Sequence, residues 1–226
     1  MRTLCLIVVG LAAMSATLAA PLAEQYPVAK GELNTTDVLV AECTLGNLVA
    51  DALLAAGKAD AALVNASALN SPYAIPAGPI KPKQLAEALP YPEDRVVVLT
   101  LKGDRLLQAL ERAVALSPQK NKGFLQVSGL DFSYDSSKSA GRPRVVAVVV
   151  GGQPLNPVKA YRVAMPEPLA KGGLGYFPIF TGAPSQKTDL SVLAVLASYV
   201  QQVKVLNPKL EGRIRDLAHP TQNDVS

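Results

Sequence analysis

The 226-residue chain is poor in the residues that most enzymes use for acid-base and metal chemistry. It has one histidine, two cysteines, no tryptophan, and 18% charged against 49% apolar residues. The single imidazole, His219, sits in the polar stretch His219-Pro220-Thr221-Gln222-Asn223-Asp224, beyond the last periodic segment. Ser-His-Asp relays, His-ligated zinc and dinuclear phosphoesterase centres therefore have no ligand in the body of the chain. No catalytic residue, metal ligand or cofactor is predicted. The 22 basic and 18 acidic residues give a formal charge of +4 with no basic block. That is too little for a nucleic-acid binder, which depends on neutralising phosphates. No stretch approaches the roughly 18 uninterrupted apolar residues of a spanning helix, so no membrane anchor is expected.

What is present begins with a targeting pattern. Met1-Arg2 is a short positive start, Leu4 to Ala13 an apolar run, and Ala16-Thr17-Leu18-Ala19-Ala20 a small-residue cleavage region. Residues 1–20 read as a signal peptide cut after Ala19 or Ala20, which predicts a periplasmic or secreted protein. Cys5 leaves with the signal, and Cys43 remains as a lone thiol without a disulfide partner. With no neighbouring cation to lower its pKa, Cys43 reads as a small buried residue.

The rest of the chain alternates short strands with amphipathic helices. Thr36 to Ala41 reads as a strand leading into a helix that carries Leu45, Leu48/Val49 and Ala52/Leu53, with Thr44 as N-cap and Gly57 just past its end. Ala61 to Val64 is a short buried strand. Residues 65–82 are a loop, because prolines and glycines interrupt 75–80. A short helix over 83–89 and a β-branched strand over 96–101 precede a helix opened by Gly103-Asp104, with Leu107, Leu110 and Val114 on its apolar face. Strands follow at 124–127, 130–134, 144–150 and 160–164, with Gly151-Gly152 as the hairpin turn between the last two. A final helix carries Val192, Leu196, Tyr199/Val200 and Val203, capped by Thr188 or Asp189. The expected fold is one mixed α/β (α+β) domain over residues 28–217, with mixed sheets, flanking helices and a polar tail over 218–226.

Several motifs stand in a recognisable order. They are Glu42-x-x-Leu45-Gly46-Asn47-Leu48-x-x-Asp51-Ala52, Ile75-Pro76-x-Gly78-x-Ile80, Leu89-Pro90-Tyr91, Gly103-x-x-Leu106 with Leu110-Glu111, Gly123 to Leu130, Tyr161 to Ala164, and Gly172-Gly173-Leu174-Gly175-Tyr176. In this order the chain resembles the C-terminal domain of the bacterial 5′-nucleotidase and UDP-sugar hydrolase family over nearly its whole mature length. The resemblance implies the family's substrate-binding domain and a role in nucleotide catabolism. In that family a metallophosphoesterase domain comes first and performs the hydrolysis. Only about 20 residues separate the signal from the first motif, so the expectation is the binding half without the catalytic half.

The pocket motifs depart from the family pattern. Where the family has Asn-Gly-Gly-x-Ile-Arg, this chain has Asn65-Ala66-Ser67-Ala68-Leu69-Asn70, and the exchange of Arg for Asn70 removes a bidentate fork for an anion. Pro-Phe-Gly-Asn becomes Pro90-Tyr91-Pro92-Glu93. Tyr91 keeps a ring able to stack on a base. Glu93 adds a carboxylate that repels phosphate and accepts hydrogen bonds from a sugar or amine. The family's second stacking Phe aligns with Pro168, and the Asp of its Gly-Gly-Asp-Gly-Tyr motif with Leu174. Glu42 and Asp51 read as local caps or pairs, Ser128 as a strand-end hydroxyl, and glycines 172, 173 and 175 as turn residues needing positive φ.

Three functions remain open. The first is a non-catalytic module binding a nucleoside-like small molecule through Tyr91, Asn65, Asn70 and Glu93. The second is a subunit completing a separate metallophosphoesterase chain, and the third is a structural protein with a relic pocket.

Overall fold

The computed structural model describes residues 26–220, so the expected signal peptide at residues 1–20 and the end of the polar tail lie outside the described residues. The strands and helices run in the order β1 Val28–Ala29, β2 Leu33–Asn34, α1 Thr44–Gly57, β3 Ala61–Asn65, β4 Ala74–Ile75, β5 Gly78–Pro79, α2 Pro82–Glu87, β6 Arg95–Lys102 and α3 Gly103–Val114. There follow β7 Leu125–Ser128, β8 Leu130–Tyr134, β9 Val145–Val150, β10 Gln153–Pro154, β11 Ala160–Pro166 and α4 Glu167–Ala170. The last are α5 Phe177–Phe180, β12 Ser185–Ser191, α6 Val192–Val203, β13 Val205–Leu206 and β14 Ile214–Asp216. This is the mixed α/β architecture expected.

A five-stranded sheet, β12-β6-β11-β3-β7, forms the centre. β3 and β11 run parallel, and β6 runs antiparallel to β11. All five residues of β3 are buried, as suits an interior strand covered by a helix. The apolar stripe of α1 packs on β3, β7 and β11. A second sheet, β10-β9-β8-β14, continues from β7 across Gly129, whose φ of 72° and close approach to the Asp60 carbonyl exclude a side chain.

The strand expected over Thr36 to Ala41 is a run of turns. The N–H groups of Val40 and Ala41 both go to the Asp37 carbonyl, each at 2.8 Å. Instead of a neighbouring strand, the buried Gln126 side chain takes the outward-going groups. Its Nε2 donates to the Ala41 carbonyl at 2.7 Å, and its Oε1 accepts from the Cys43 N–H at 2.9 Å. β-Branched composition is overruled here by a tertiary hydrogen-bond partner.

Helix ends are also corrected. Cys43, not Thr44, caps α1, its Sγ accepting from Gly46 N–H, while Thr44 Oγ1 accepts from Asn34 N–H at 2.9 Å. Burial pushes the Cys43 thiol up to about 12, so it stays protonated and serves as a cap. Gly57 is the last helical residue, where a Cβ would lie 2.8 Å from the Ala164 Cβ, and the left-handed residue is Lys58. Ser191, not Thr188 or Asp189, caps α6, because the Thr188 hydroxyl donates to the Val96 carbonyl. Gly151-Gly152 does form a turn at positive φ, but it pairs β9 with the two-residue β10. β11 joins the other sheet.

Glu42 pairs locally with Asn47, as expected, but Glu42 and Asp51 also make contacts far along the chain. The Glu42 carboxylate accepts the N–H groups of Glu211 and Arg213 at 2.7 and 2.8 Å and the Asn47 amide at 2.6 Å. Asp51 takes both terminal nitrogens of Arg213 at 2.6 and 3.0 Å, and the Ser128 hydroxyl at 2.6 Å. Burial opposes the Arg213 charge, yet the hydrogen bonds and attraction of Asp51 and Glu211 outweigh it and hold the guanidinium firmly protonated. Ser128 is a strand-end hydroxyl, as expected.

Gly46 leaves the space that Gln126 occupies. A Cβ there would lie 2.5 Å from Gln126 Cγ, and Gln126 is fixed by its bonds to residues 41 and 43. Gly46→Ala is expected to lower stability by about 2 kcal/mol, although alanine favours a helix by about 1 kcal/mol. Urea denaturation measures this, and an unchanged or raised midpoint would show that Gln126 can move at no cost.

Candidate functional site

Because β3 and β11 are parallel and β6 is antiparallel to β11, the ends of β3 and β11 and the start of β6 lie at one edge of the central sheet. Ligand clefts in α/β folds commonly form outside such carboxyl ends. Here the edge holds a cleft of about 400 Å³. Asn65 contributes from the last position of β3, Ser67 and Ala68 from the 3-10 turn after it, and Pro166 from the end of β11. Pro168 and Leu169 come from α4, Gly173 and Leu174 from the turn that follows, and Tyr91 and Asp94 from the turn entering β6.

Each polar side chain has a physical reason for its place. Asn65 is buried and donates its amide to the Ser67 hydroxyl at 2.7 Å, which fixes both heads in the cleft wall. Tyr91 is 65% exposed, and a ring this open is free to stack. The Asp94 N–H returns to the Tyr91 carbonyl at 3.1 Å, closing a turn that brings these two residues to the same cleft. The Asp94 carboxylate accepts no hydrogen bond from another described residue. Burial raises its pKa above the ordinary carboxylate value and Glu167 adds to the rise, while Lys171 partly offsets both.

Tyr91 and Asn65 thus share one cleft, whereas Glu93 and Asn70 are not among its lining residues. Glu93 is exposed beside Asp94. Asn70 donates its amide to the Glu87 carbonyl at 2.8 Å, and its own carbonyl accepts from the Thr35 hydroxyl. It ties the loop to the end of α2. The residue that sequence reasoning missed is Asp94. Its signal was the adjacent pair Glu93-Asp94 after Pro92, where a turn can present only one carboxylate inward. Among the described residues no three or more His, Cys, Asp or Glu side chains gather in a group able to hold a metal ion.

His219 places Nδ1 3.1 Å from the Ser136 hydroxyl and 3.2 Å from Asp216. Both contacts fall on one ring nitrogen, so the trio is no relay, which needs the acid and the nucleophile on different nitrogens.

The rim formed by residues 172–177 is shaped by backbone strain. Gly172 and Gly175 have φ of 89° and 88°, as their turns require, whereas Gly173, expected to share that conformation, does not, and Leu174 is held at φ 60° instead. Its carbonyl accepts from Arg112 Nη2 at 2.7 Å. Tyr176 is fully buried, stacks on Phe180 at 5.4 Å and donates to the Gly123 carbonyl at 2.6 Å. Phe177 is 62% exposed.

The family described as 5′-nucleotidase, C-terminal domain, matches residues 24–182. The 5′-nucleotidase of Bos taurus is 31% identical over 193 residues, covering 77% of this chain and 33% of its own length. The snake venom 5′-nucleotidase of Naja atra is 30% identical over 193 residues, with 76% and 36% covered. The chain therefore spans about a third of the length of these relatives. Among solved structures, the 5′-nucleotidase precursor from Thermus thermophilus superposes with a TM-score of 0.79 at 34% identity, covering 87% of this chain and 40% of its own. The Haemophilus influenzae NAD nucleotidase shares the fold with a TM-score of 0.73 at 17% identity, with 84% and 38% covered.

Leu174 is a branched residue in the left-handed region, a conformation that costs an L-residue about 1–2 kcal/mol. Leu174→Gly keeps the carbonyl that Arg112 uses and is expected to raise stability by about 0.5–1 kcal/mol after the added chain entropy. A lowered urea midpoint would show that the side chain's packing outweighs the backbone strain.

Proposed function

This chain belongs to the family of 5′-nucleotidase C-terminal domains, and from that premise we propose that it is a non-catalytic binding module for nucleoside-like small molecules. It works in nucleotide catabolism outside the cytoplasm, as a single domain over residues 28–217 exported by the signal at residues 1–20. Among the described residues no helix is long and apolar enough to cross a membrane. The carrying observation is the cleft in which the exposed Tyr91 ring, the Asn65–Ser67 pair and the unpaired Asp94 carboxylate meet. A base stacks on Tyr91, and ribose hydroxyls donate to Asp94. No lysine or arginine lines this cleft, and Lys171, near enough to act on Asp94, is paired with Glu167, so a phosphate finds a carboxylate there and no free cation. The preferred ligand is therefore a nucleoside over its nucleotide. Glu93 and Asn70 act at one remove, Glu93 by adding negative charge at the mouth and Asn70 by fixing the loop.

Because the chain has seven tyrosines and only Tyr91 lines the cleft, calorimetric titration reads binding independently of the ring that is varied. Uridine and adenosine are expected to bind saturably and more tightly than AMP, and Tyr91→Ala to weaken binding about tenfold or more. Absence of saturation at millimolar nucleoside would refute the binding reading. Phosphate release from AMP with added Mn²⁺ would refute the non-catalytic one.

The pH dependence has a definite sign. Asp94 accepts from both oxygens, and as a stronger charged acceptor, when ionised, and its pKa is raised, so uridine affinity is expected to fall as pH drops through that raised value, beginning above the ordinary carboxylate range. Asp94→Asn removes the titration, and a pH profile unchanged by this substitution would exclude Asp94 from the contact.

A second reading is a subunit completing a separate metallophosphoesterase chain. It is favoured by relatives of which this chain matches only about a third. Affinity capture from periplasmic extract either recovers a metal-dependent hydrolase or excludes this reading.

A further inference from the structure

A second cleft, of about 340 Å³, has an entirely different charge character. Glu111 and Arg112 of α3 and Arg142 and Arg144 of the loop entering β9 contribute to its lining, three cations against one anion. The Glu111 carboxylate is already engaged, accepting the backbone N–H groups of Arg144 and Val145 at 2.8 and 3.0 Å.

Arg144 is 7% exposed and has no ion pair among the described residues. Its Nη1 donates to the carbonyls of Val114 and Ser117 at the C-terminal end of α3, where the helix dipole favours a cation. These contacts orient the guanidinium and use only one of its nitrogens. Nε is covered and without a partner, so a ligand reaches it only as the side chain or its loop shifts, while the side chain's hydrogen bonds to described residues all come from Nη1 and leave Nη2 free. The unused Nε–Nη2 edge is the one that engages two oxygens of an oxyanion side by side. A buried donor without a partner carries a desolvation penalty that such a ligand removes. Arg142 is exposed and unpaired at the same cleft.

We propose that this cleft is a binding site for a small oxyanion of the phosphate class, held by the free edge of Arg144 and the head of Arg142. The lining's excess of two positive charges matches a phosphate or phosphate monoester better than a monovalent carboxylate. Arg112 lies at the border. Its Nη2 is spent on the Leu174 carbonyl and its guanidinium sits 5.8 Å from the Tyr176 ring, so it contributes charge without donating a free fork. The site is separate from the Tyr91 cleft, and the proposal does not depend on nucleoside binding there.

The test is a ³¹P NMR titration of the full chain with inorganic phosphate and with glycerol 3-phosphate at constant ionic strength. Thermal shift alone does not serve, since phosphate stabilises most proteins by exclusion from their surfaces. Saturable binding is expected for at least one of the two, identifying free phosphate or a monoester as the source, while acetate at equal concentration fails to compete. Arg142→Ala, at an exposed position, is expected to weaken binding about tenfold. Arg144→Lys keeps the charge and loses the fork, and is expected to weaken it further while far-UV circular dichroism stays native. Tyr91→Ala is expected to leave phosphate binding unchanged. No saturation, or binding unmoved by Arg142→Ala, overturns the proposal. Loss of binding in Tyr91→Ala overturns it too, by placing the anion in the aromatic cleft.

Discussion

The buried carboxamide of Gln126 is the constraint from which the rest of the fold follows. It stands on β7 opposite Val64 of β3, and its two ends hold the turn over residues 36–41 and the backbone at the N-terminus of α1. A carboxamide can serve both a donor and a carbonyl from one side chain, which an apolar residue of similar size cannot. Seating α1 there fixes the face it lays on β3. The register of β3 against β7 then sets Asn65 opposite Leu125, and the chain turns immediately into Ser67. One wall of the Tyr91 cleft is thus placed by a hydrogen-bonded side chain in the core. Gly46 is part of the same arrangement, since the Gln126 side chain lies where its Cβ would be.

A second polar centre does comparable work at the opposite end of the sequence. Arg213 reaches Asp51 on α1 and the Val127 carbonyl on β7, and its own backbone N–H is held by Glu42. These contacts bring β14 beside β8 and attach the C-terminal segment to the helix that Gln126 seats. Half-buried ion pairs of this kind contribute little over an apolar replacement, and removing one partner strands the others. Their effect is to select one arrangement of the termini around α1.

Much of this was legible in sequence where local physics decides the outcome. The strand over 130–134 and the helices beginning at Gly103 and Val192 follow from apolar spacing alone, because those segments bury one face. The turn at 36–41 was not, because its hydrogen-bond partner lies about 85 residues away on a strand whose side-chain orientation no local pattern reveals. Cap identity failed for the same reason. Thr44 and Thr188 are good caps in isolation, but their hydroxyls are taken by Asn34 and Val96, leaving Cys43 and Ser191 to cap the helices. In the cleft, Asn65 and Tyr91 were legible from their motifs. The choice between Glu93 and Asp94 depended on the turn closed by the Asp94 N–H, and Asn70 on a carbonyl at the end of α2.

Asp94 and Leu174 line the same cleft, and that fact changes the meaning of the departures from the family pattern. Considered alone, Leu174 in place of the family's Asp looks like the loss of an acidic contact. A carboxylate is nevertheless present, supplied from the turn entering β6 and not from the rim after α4. Leucine at position 174 carries a strained backbone that Asp tolerates better, a cost that the Arg112 contact to its carbonyl helps to meet. Arg112 in turn belongs to the cleft of three arginines. One hydrogen bond, from Arg112 to the Leu174 carbonyl, thus links a lining residue of each cleft, with a carboxylate in one lining and three arginines in the other. On the two sites proposed above, a ligand carrying both a sugar and a phosphate is drawn toward both, whereas a nucleoside suits the one and a free oxyanion the other. Charge separation between the clefts thus favours separate occupancy over one shared nucleotide.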